Sequence, residues 1–250
     1  MKRLRFLSFI LYIFSIFTLA IGSNMETLNK QFYEARKDRD KDKINSIIKN
    51  IESTSDYKKN SILLTILADC YLEYGIWGAS DKEKEKILEK AKTNAEMAIK
   101  IDKNNGRAYY ILSVAVAQLI PFKNVFEKLY LLNEFDKNIN IAIKLLDEND
   151  EEGRLYKAFS YIAIAVRYME APWPWNNYQK SEEFLNMALK LIPNYPNIYL
   201  ELGYLYLKLN DKAKAKEMFQ KVIESKPHPL FVKSYEESVK IAQNELGKIQ

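Results

Sequence analysis

The chain of 250 residues contains only one cysteine, one histidine, seven glycines and seven prolines. A single cysteine excludes an intramolecular disulfide, and without paired Cys or His at ligand spacing the sequence predicts no metal site. It also lacks a Gly-rich phosphate loop and a serine nucleophile motif, and no long segment alternates Val or Thr with polar residues. We therefore expect no β-sheet, no metal, no cofactor and no enzymatic activity.

The two rare residues have ordinary surroundings. His228 stands between two prolines after a predicted helix end, which favours a loop residue over a general base with an orienting partner. Cys70 lies in an apolar helical pattern between Asp69 and Tyr71. This position favours a buried packing residue, with an intermolecular disulfide as the alternative.

Residues 196–229 contain a near-complete helix–turn–helix repeat. Small residues at Gly203 and Ala215 let the two helices approach closely, Asp211 is placed to cap the second helix, and Pro227 ends it. Apolar and aromatic residues at three- and four-residue steps fill the inner helix faces: Tyr199, Leu202, Tyr206, Leu209, Phe219 and Val222. The segment resembles the tetratricopeptide repeat (TPR), which implies a helical solenoid that serves as a binding scaffold.

Three weaker copies of this pattern lie between residues 60 and 193, ahead of the clear repeat. In each copy an apolar first helix is followed by a second helix with small residues in its seam. Two copies carry insertions, around 76–85 and 121–132, and the third has a long connection over 171–177. The inserted segment 121–132 is itself amphipathic.

Amphipathic segments flank the repeats at both ends. Apolar residues over 28–51 predict an N-terminal hairpin, and those over 231–249 predict a helix that covers the last repeat, as solenoid ends require. The predicted fold class is therefore all-α: a right-handed superhelix of about four TPR-type hairpins, with an N-terminal hairpin and a C-terminal capping helix.

The first 22 residues have the pattern of a secretory signal peptide. The head contains three cations: Lys2, Arg3 and Arg5. An apolar run over 6–22 follows and ends in small residues, which predicts cleavage before Ser23. An uncleaved inner-membrane anchor over 6–22 is the alternative, since the run is just long enough to span a bilayer. We predict a signal peptide over 1–22 and a single solenoid domain over 23–250, exported to the periplasm or cell envelope.

The charges outside the leader are balanced. Removing the three cations of the head takes the formal net charge from +5 to +2. Lys alternates with Asp and Glu, as over 81–86, which is typical of a solvated helix face. Since no basic stripe is present, we expect no nucleic-acid partner. Contact with a membrane is expected only through an uncleaved N-terminal segment.

The first helix of each hairpin lines the groove of a TPR solenoid, and here its groove positions are mostly apolar. They predict a cleft for a small apolar ligand or a partner protein, unless segment 121–132 or the C-terminal helix fills the groove. The Trp-rich connection over 171–177 is the second candidate, either packed as structure or exposed as an anchor. The candidate binding residues are Tyr110, Tyr161, Arg167, Tyr168, Trp173, Trp175 and Tyr204.

The connection Ala171-Pro172-Trp173-Pro174-Trp175, followed by the clear repeat, resembles the T component associated with TRAP transporters, a bacterial envelope family. The resemblance covers roughly 60–230. It implies a helical envelope protein with a hydrophobic pore or cleft, association with the transporter's solute-binding protein, and homo-oligomerisation. The chain lacks the lipidated cysteine of that family member. We expect a non-enzymatic binding protein of the envelope, with a scaffold for envelope or secretion-machinery assembly as the alternative.

Overall fold

The computed structural model describes residues 25–249, so the predicted signal peptide lies outside the described residues. This part of the chain contains eleven α-helices and no strand. Residues 25–38 are helical and are called α1. The other helices are α2 (Lys41–Ser53), α3 (Ser61–Glu73), α4 (Asp81–Ile101), α5 (Gly106–Leu119), α6 (Val125–Leu145), α7 (Glu151–Glu170), α8 (Tyr178–Leu191), α9 (Asn197–Lys208), α10 (Lys212–Glu224) and α11 (Val232–Lys248). Over residues 25–249, every helix is too short or too polar to cross a bilayer.

The helices pair into four consecutive hairpins. These are α3–α4, α5–α6, α7–α8 and α9–α10, and each hairpin packs against the next along the chain. Helices α1 and α2 precede them, and α11 covers α10 and α9 at the other end. The predicted all-α solenoid of four hairpins, with an N-terminal hairpin and a C-terminal capping helix, is therefore confirmed.

Short polar side chains determine where most helices begin. Each accepts a hydrogen bond from a backbone N–H of the first turn, which is otherwise unpaired. These caps are Asp40, Asn60, Asn105, Asn124, Asp150, Asn177 and Asp211. The predicted cap at Asp211 is confirmed, since its carboxylate accepts from the Lys214 N–H at 3.0 Å.

The two predicted insertions turn out to be the starts of longer helices. Residues around 76–85 form a π-helical turn, Tyr74–Gly78, and the first turn of α4. Asn124 and Glu127 form a capping box that begins α6, so most of segment 121–132 is the first half of that helix. Because α6 continues unbroken for 21 residues, the segment cannot fold back into the groove.

Helix α1 occupies the concave face of the solenoid. That face is formed by the first helices of the hairpins, of which α3, α5 and α7 pack side by side. Leu28 and Phe32 of α1 are buried in the same core cluster as residues of all three. Segment 121–132 does not fill the groove, so that alternative is wrong. The groove is filled mainly by α1, and Phe231 and Ser234 at the start of α11 line the cavity that remains beside it.

The main core cluster of buried apolar residues extends from Leu28 to Phe231, and a smaller cluster lies between α9, α10 and α11. Cys70 lies within the main cluster, fully buried and unpaired, as its apolar surroundings predicted. His228 lies in the loop between α10 and α11, also as predicted. The connection over 171–177 is an irregular loop between α7 and α8.

Candidate functional site

Arg107 lies at the centre of a buried polar network beneath α1. Its Nε and Nη2 donate to Oδ2 of Asp69 at 3.1 and 2.8 Å. Its Nη1 donates to Oδ1 of Asn29 at 2.7 Å and to Oε2 of Glu152 at 3.1 Å. The Tyr156 hydroxyl also donates to Asp69. Helices α1, α3, α5 and α7 therefore meet at one guanidinium, whose burial requires this full set of partners.

Glu152 connects α1 to the first turn of α7. The Asn29 amide and the Tyr33 hydroxyl of α1 donate to Glu152 Oε2 at 2.7 and 2.9 Å. Burial alone would raise the pKa of Glu152, but Arg107 and these two donors outweigh it, so the pKa is lowered. Burial raises the pKa of Tyr33 to about 12, against the field of Arg107, so its hydroxyl remains a donor.

Arg36 anchors the other end of α1. Its Nε is 2.8 Å from Glu73 of α3. Its guanidinium carbon lies 4.5 Å from the ring centre of Phe231 and 5.1 Å from that of Phe159, within the range of cation–π attraction. With polar contacts at both ends, α1 is a structural part of the concave face rather than a loosely docked segment.

Beyond the end of α1 the concave face retains a cavity of about 250 Å³. Tyr110 lies on its wall and packs against Tyr156 and Phe159, with only 9 % of its surface exposed. Glu201 also lines the cavity, and burial, with a smaller contribution from Glu170, raises its pKa to about 7. The structure thus places the candidate Tyr110 on the concave face, but as a wall residue.

A larger cavity of about 760 Å³ opens beside the first turn of α7. It is polar and contains both charge signs, with Glu151, Arg154 and Lys190 on its walls. His228 lies there too, but its Nδ1 accepts from the Leu230 N–H at 3.2 Å, and burial, then Arg36, lowers its pKa. Residues 25–249 contain no cluster of His, Cys, Asp and Glu that could hold a metal ion.

Three other candidates lie in interfaces between helices. Tyr161 and Tyr168 of α7 stack on Phe184 of α8, with ring centres 5.9 and 6.0 Å apart. Tyr204 of α9 packs edge-on against Phe219 of α10 at 5.6 Å. These rings hold hairpins together, so the sequence-based placement of Tyr161, Tyr168 and Tyr204 in the groove is wrong.

The reason for the error on α7 is its register. The long connection over 171–177 separates α7 from the clear repeat, so the repeat does not fix the register of α7, and one residue of slip turns a helix face by about 100°. In the structure Tyr156 and Phe159 face α1, and Tyr161 and Tyr168 face α8.

Seven large apolar side chains stand exposed at the opposite edge of the hairpins from the start of α1. We call them the aromatic edge: Phe122, Val125, Phe126, Leu129, Tyr130, Trp173 and Trp175. Phe126 is 85 % exposed and Trp173 is 84 % exposed. Soluble monomers rarely leave so many large apolar side chains uncovered together. The segment expected to fill the groove is therefore exposed instead, and the Trp-rich connection is exposed rather than packed.

An apolar cleft of about 550 Å³ lies behind this edge. One wall is the first half of α6, with Val125, Leu129 and Leu132. The facing side chains come from α5 and α7, and Pro172 of the Trp-rich connection closes one end. The cleft and the aromatic edge are therefore parts of one surface.

Arg167 ties the Trp-rich connection to α6. Its Nε and Nη2 donate to the two carboxylate oxygens of Asp136 at 2.9 and 2.6 Å, a bidentate arrangement. Its Nη1 donates to the Trp175 carbonyl at 3.3 Å. Arg167, predicted from the sequence to lie among the groove residues, therefore positions this surface.

Comparison with known proteins identifies the family. The chain belongs to the family described as Regulator of microtubule dynamics protein 1-3, whose sequence profile matches residues 28–244. No curated protein matches the chain by sequence. Nothing in these comparisons supports membership of the TRAP transporter T component.

A solved structure supports the fold. The crystal structure of a thermophilic TPR protein from Thermus thermophilus superposes with a TM-score of 0.56 and is 17 % identical. The match covers 87 % of this chain and 98 % of that chain. At this identity the likeness establishes a TPR-like helical fold and nothing further.

Proposed function

We propose that this member of the Regulator of microtubule dynamics protein 1-3 family is a non-enzymatic scaffold that binds a partner protein through its aromatic edge. One observation carries the proposal: α1 fills the concave face, while seven large apolar side chains are left in solvent at the edge. The usual binding surface of a TPR-type solenoid is thus taken by the chain itself. The exposed apolar surface is at the edge.

The composition of the aromatic edge fits a protein-binding surface. Trp and Tyr are enriched among residues that dominate binding energy, and Trp173, Trp175 and Tyr130 are all largely exposed. Charged side chains of both signs, including Lys128 and Glu170, line the adjoining cleft, which gives the apolar centre a polar rim. A partner that covers this centre would remove from water the apolar area that the fold leaves exposed.

The cleft supports a second candidate occupant, a small apolar ligand. Its volume of about 550 Å³ lies within the usual range of ligand pockets, roughly 300 to 1,000 Å³. Such a ligand would contact Leu129 and Leu132 but would leave Phe126, which does not line the cleft, exposed. The complete set of exposed residues therefore favours a protein.

The compartment in which the chain meets its partner depends on whether the N-terminal segment is a cleaved signal peptide. Cleavage before Ser23 would place the chain in the periplasm or envelope, where it could serve as an assembly scaffold. A solute-binding protein of a TRAP-type transporter remains a sequence-based hypothesis without support from the family match. If the chain is not exported, the family's description suggests a different partner, a protein of the microtubule system.

Site-specific photo-crosslinking tests the docking surface. The full chain is produced in cells with a benzophenone amino acid at Phe126, and separately at Ile101, which is 47 % exposed at the end of α4. We expect protein adducts from position 126 and none from position 101. Equal adduct formation at both positions, or none at 126, would contradict the proposal.

A further inference from the structure

We propose that the partner at the aromatic edge is a second copy of this chain, in a two-fold symmetric dimer. The inference rests on the proposed function, because it names the occupant of the same surface. A two-fold interface uses one patch on both copies, so the patch must fit itself. The aromatic edge meets this condition because it contains both a projecting ridge and an apolar trough.

The ridge is formed by three aromatic side chains at the start of α6. Phe126 and Tyr130 lie about one turn apart on one face of α6, and Phe122 lies in the 3₁₀ turn that precedes the helix. Phe122, Phe126 and Tyr130 are 40, 85 and 67 % exposed. None of the three lines the cleft. The ridge therefore projects from the surface beside the cleft.

The trough is the cleft itself, which lies on the other side of the same half-helix. Val125, Leu129 and Leu132 form its α6 wall, and Ala163 and Val166 of α7 lie across from them. In a two-fold pair the ridge of each copy enters the trough of the other. A single foreign helix would fill the trough, yet it would leave Phe126 and Tyr130 in water.

The area also fits a stable dimer. Aromatic side chains bury roughly 200 Å² each, so at their observed exposures the five aromatic residues of the edge offer on the order of 700 Å² per copy, to which Val125 and Leu129 add. A specific interface of standard size buries about 800 Å² per partner, whereas the largest apolar patch of a typical monomer is roughly 300 to 600 Å². The patch thus matches half of an interface and exceeds that of a typical monomer.

The charges around the patch allow two copies to approach. Lys123 is already neutralised within the chain, with its Nζ 2.8 Å from Glu85 and 2.9 Å from Glu89. Glu170 is paired with Lys208 at 3.0 Å. A patch bordered by charges of one sign would repel its own copy, but this border contains both signs, largely paired.

Two differently tagged full chains, co-expressed in one cell, test the proposal. One chain carries the benzophenone amino acid at Phe126, and adducts are recovered through its tag and probed for the second tag. We expect a covalent species of twice the chain mass that contains both tags. The same design with the probe at Ile101, outside the aromatic edge, is the control and should give no two-tag adduct. It detects copies that are brought together by the N-terminal segment rather than by the edge.

A paired set of variants tests the role of the edge in the two-tag adduct. Trp173→Ser in both chains is expected to lower the yield of the two-tag adduct at least tenfold, because Trp173 is one of the most exposed aromatic side chains of the edge and loss of a hot-spot aromatic weakens an interface about thirtyfold or more. Ile62→Ser, at a residue 52 % exposed outside the patch, should leave the yield unchanged.

The outcomes separate the two proposals. An adduct at position 126 that lacks the second tag and contains another protein would overturn the dimer and leave the docking surface standing. No adduct at position 126 would overturn both. A two-tag adduct that is unchanged by Trp173→Ser would also overturn the dimer as described, because Trp173 would then take no part in the contact between the two copies.

Discussion

The guanidinium of Arg107 donates two hydrogen bonds to a single carboxylate oxygen of Asp69, and both side chains are more than nine-tenths buried. The pair joins α5 to α3, and the remaining Arg107 nitrogen reaches Asn29 of α1. The N-terminal helix is therefore attached to the repeats by a buried charge pair as well as by apolar packing.

Removing one partner of this pair should loosen α1. Arg107→Met leaves the Asp69 carboxylate buried without its cation, so we expect a loss of about 3 to 5 kcal/mol in the free energy of unfolding by urea. Hydrogen exchange over residues 25–38 should rise at the same time. The double variant Asp69→Asn/Arg107→Met removes both charges and should recover most of the stability, and a double variant no better than the single one would contradict this account.

Glu201 should make stability depend on pH. Its folded-state pKa of about 7 lies above the ordinary value of 4.5, so the folded state holds a proton that the unfolded state releases. Stability therefore falls as the pH rises from about 4.5 to 7 and stays lower above that window. Glu201→Gln should be more stable than the parent by on the order of 2 kcal/mol at pH 8 and nearly equal at pH 4. Thermal unfolding at both pH values checks this, and an equal difference at both would contradict it.

Two glycines in helices should respond in opposite ways to alanine. Alanine normally stabilises a helix interior by about 0.5 to 1 kcal/mol relative to glycine. A Cβ on Gly203 would collide with the Phe219 ring, whereas a Cβ on Gly247 would meet nothing within 4 Å. We expect Gly203→Ala to lower stability by about 1 to 3 kcal/mol and Gly247→Ala to leave it unchanged or slightly higher, as measured by urea unfolding. If Gly203→Ala were as stable as the parent, this prediction would be wrong, and α9 and α10 would have room to move apart around the added Cβ.

Arg167 should control the Trp-rich connection more than the overall stability. Arg167→Met removes the bidentate pair with Asp136 and the hydrogen bond to the Trp175 carbonyl. In a Trp77→Phe background, acrylamide should then quench the two remaining tryptophans more strongly, with less than about 1.5 kcal/mol lost in unfolding. Lys208→Met, which breaks an exposed pair with Glu170, is the matched control and should leave quenching unchanged.

The last repeat could be predicted because its signals are local. Gly203, Phe219 and the cap Asp211 lie within 17 residues of one another, and each has the role that its spacing predicted. Helix periods and caps are set by neighbouring residues, so one sequence carries enough information to place them.

The occupant of the concave face could not be predicted in this way. The stripe of Leu28, Phe32 and Ala35 shows which side of α1 is buried, but not which helices cover it. Its polar partners are far away in sequence, since Tyr33 and Glu152 are 119 residues apart. The one local signal was Asp69, a charged residue inside an apolar run, which implies a buried cation somewhere in the fold.

The aromatic edge could be predicted from the sequence only in part. The amphipathic pattern of 121–132 was visible, and so were Trp173 and Trp175. Periodicity alone does not tell whether an apolar face meets the chain's own groove or solvent. The capping box at Asn124 and Glu127 shows that a helix begins there, and the structure shows that the apolar side chains of its first turns are exposed.

The position of α1 changes how the molecule should unfold. In an open solenoid each repeat contacts only the repeats next to it, so the repeats can unfold one after another from an end. Here Asn29 bonds Glu152 across 123 residues, and Arg39 pairs with Glu237 across 198. Among the described residues, the first helix thus completes its contacts only after the last has been made. Because α1 bridges hairpins that are distant in sequence, we expect the chain to lose its structure in one cooperative step rather than repeat by repeat.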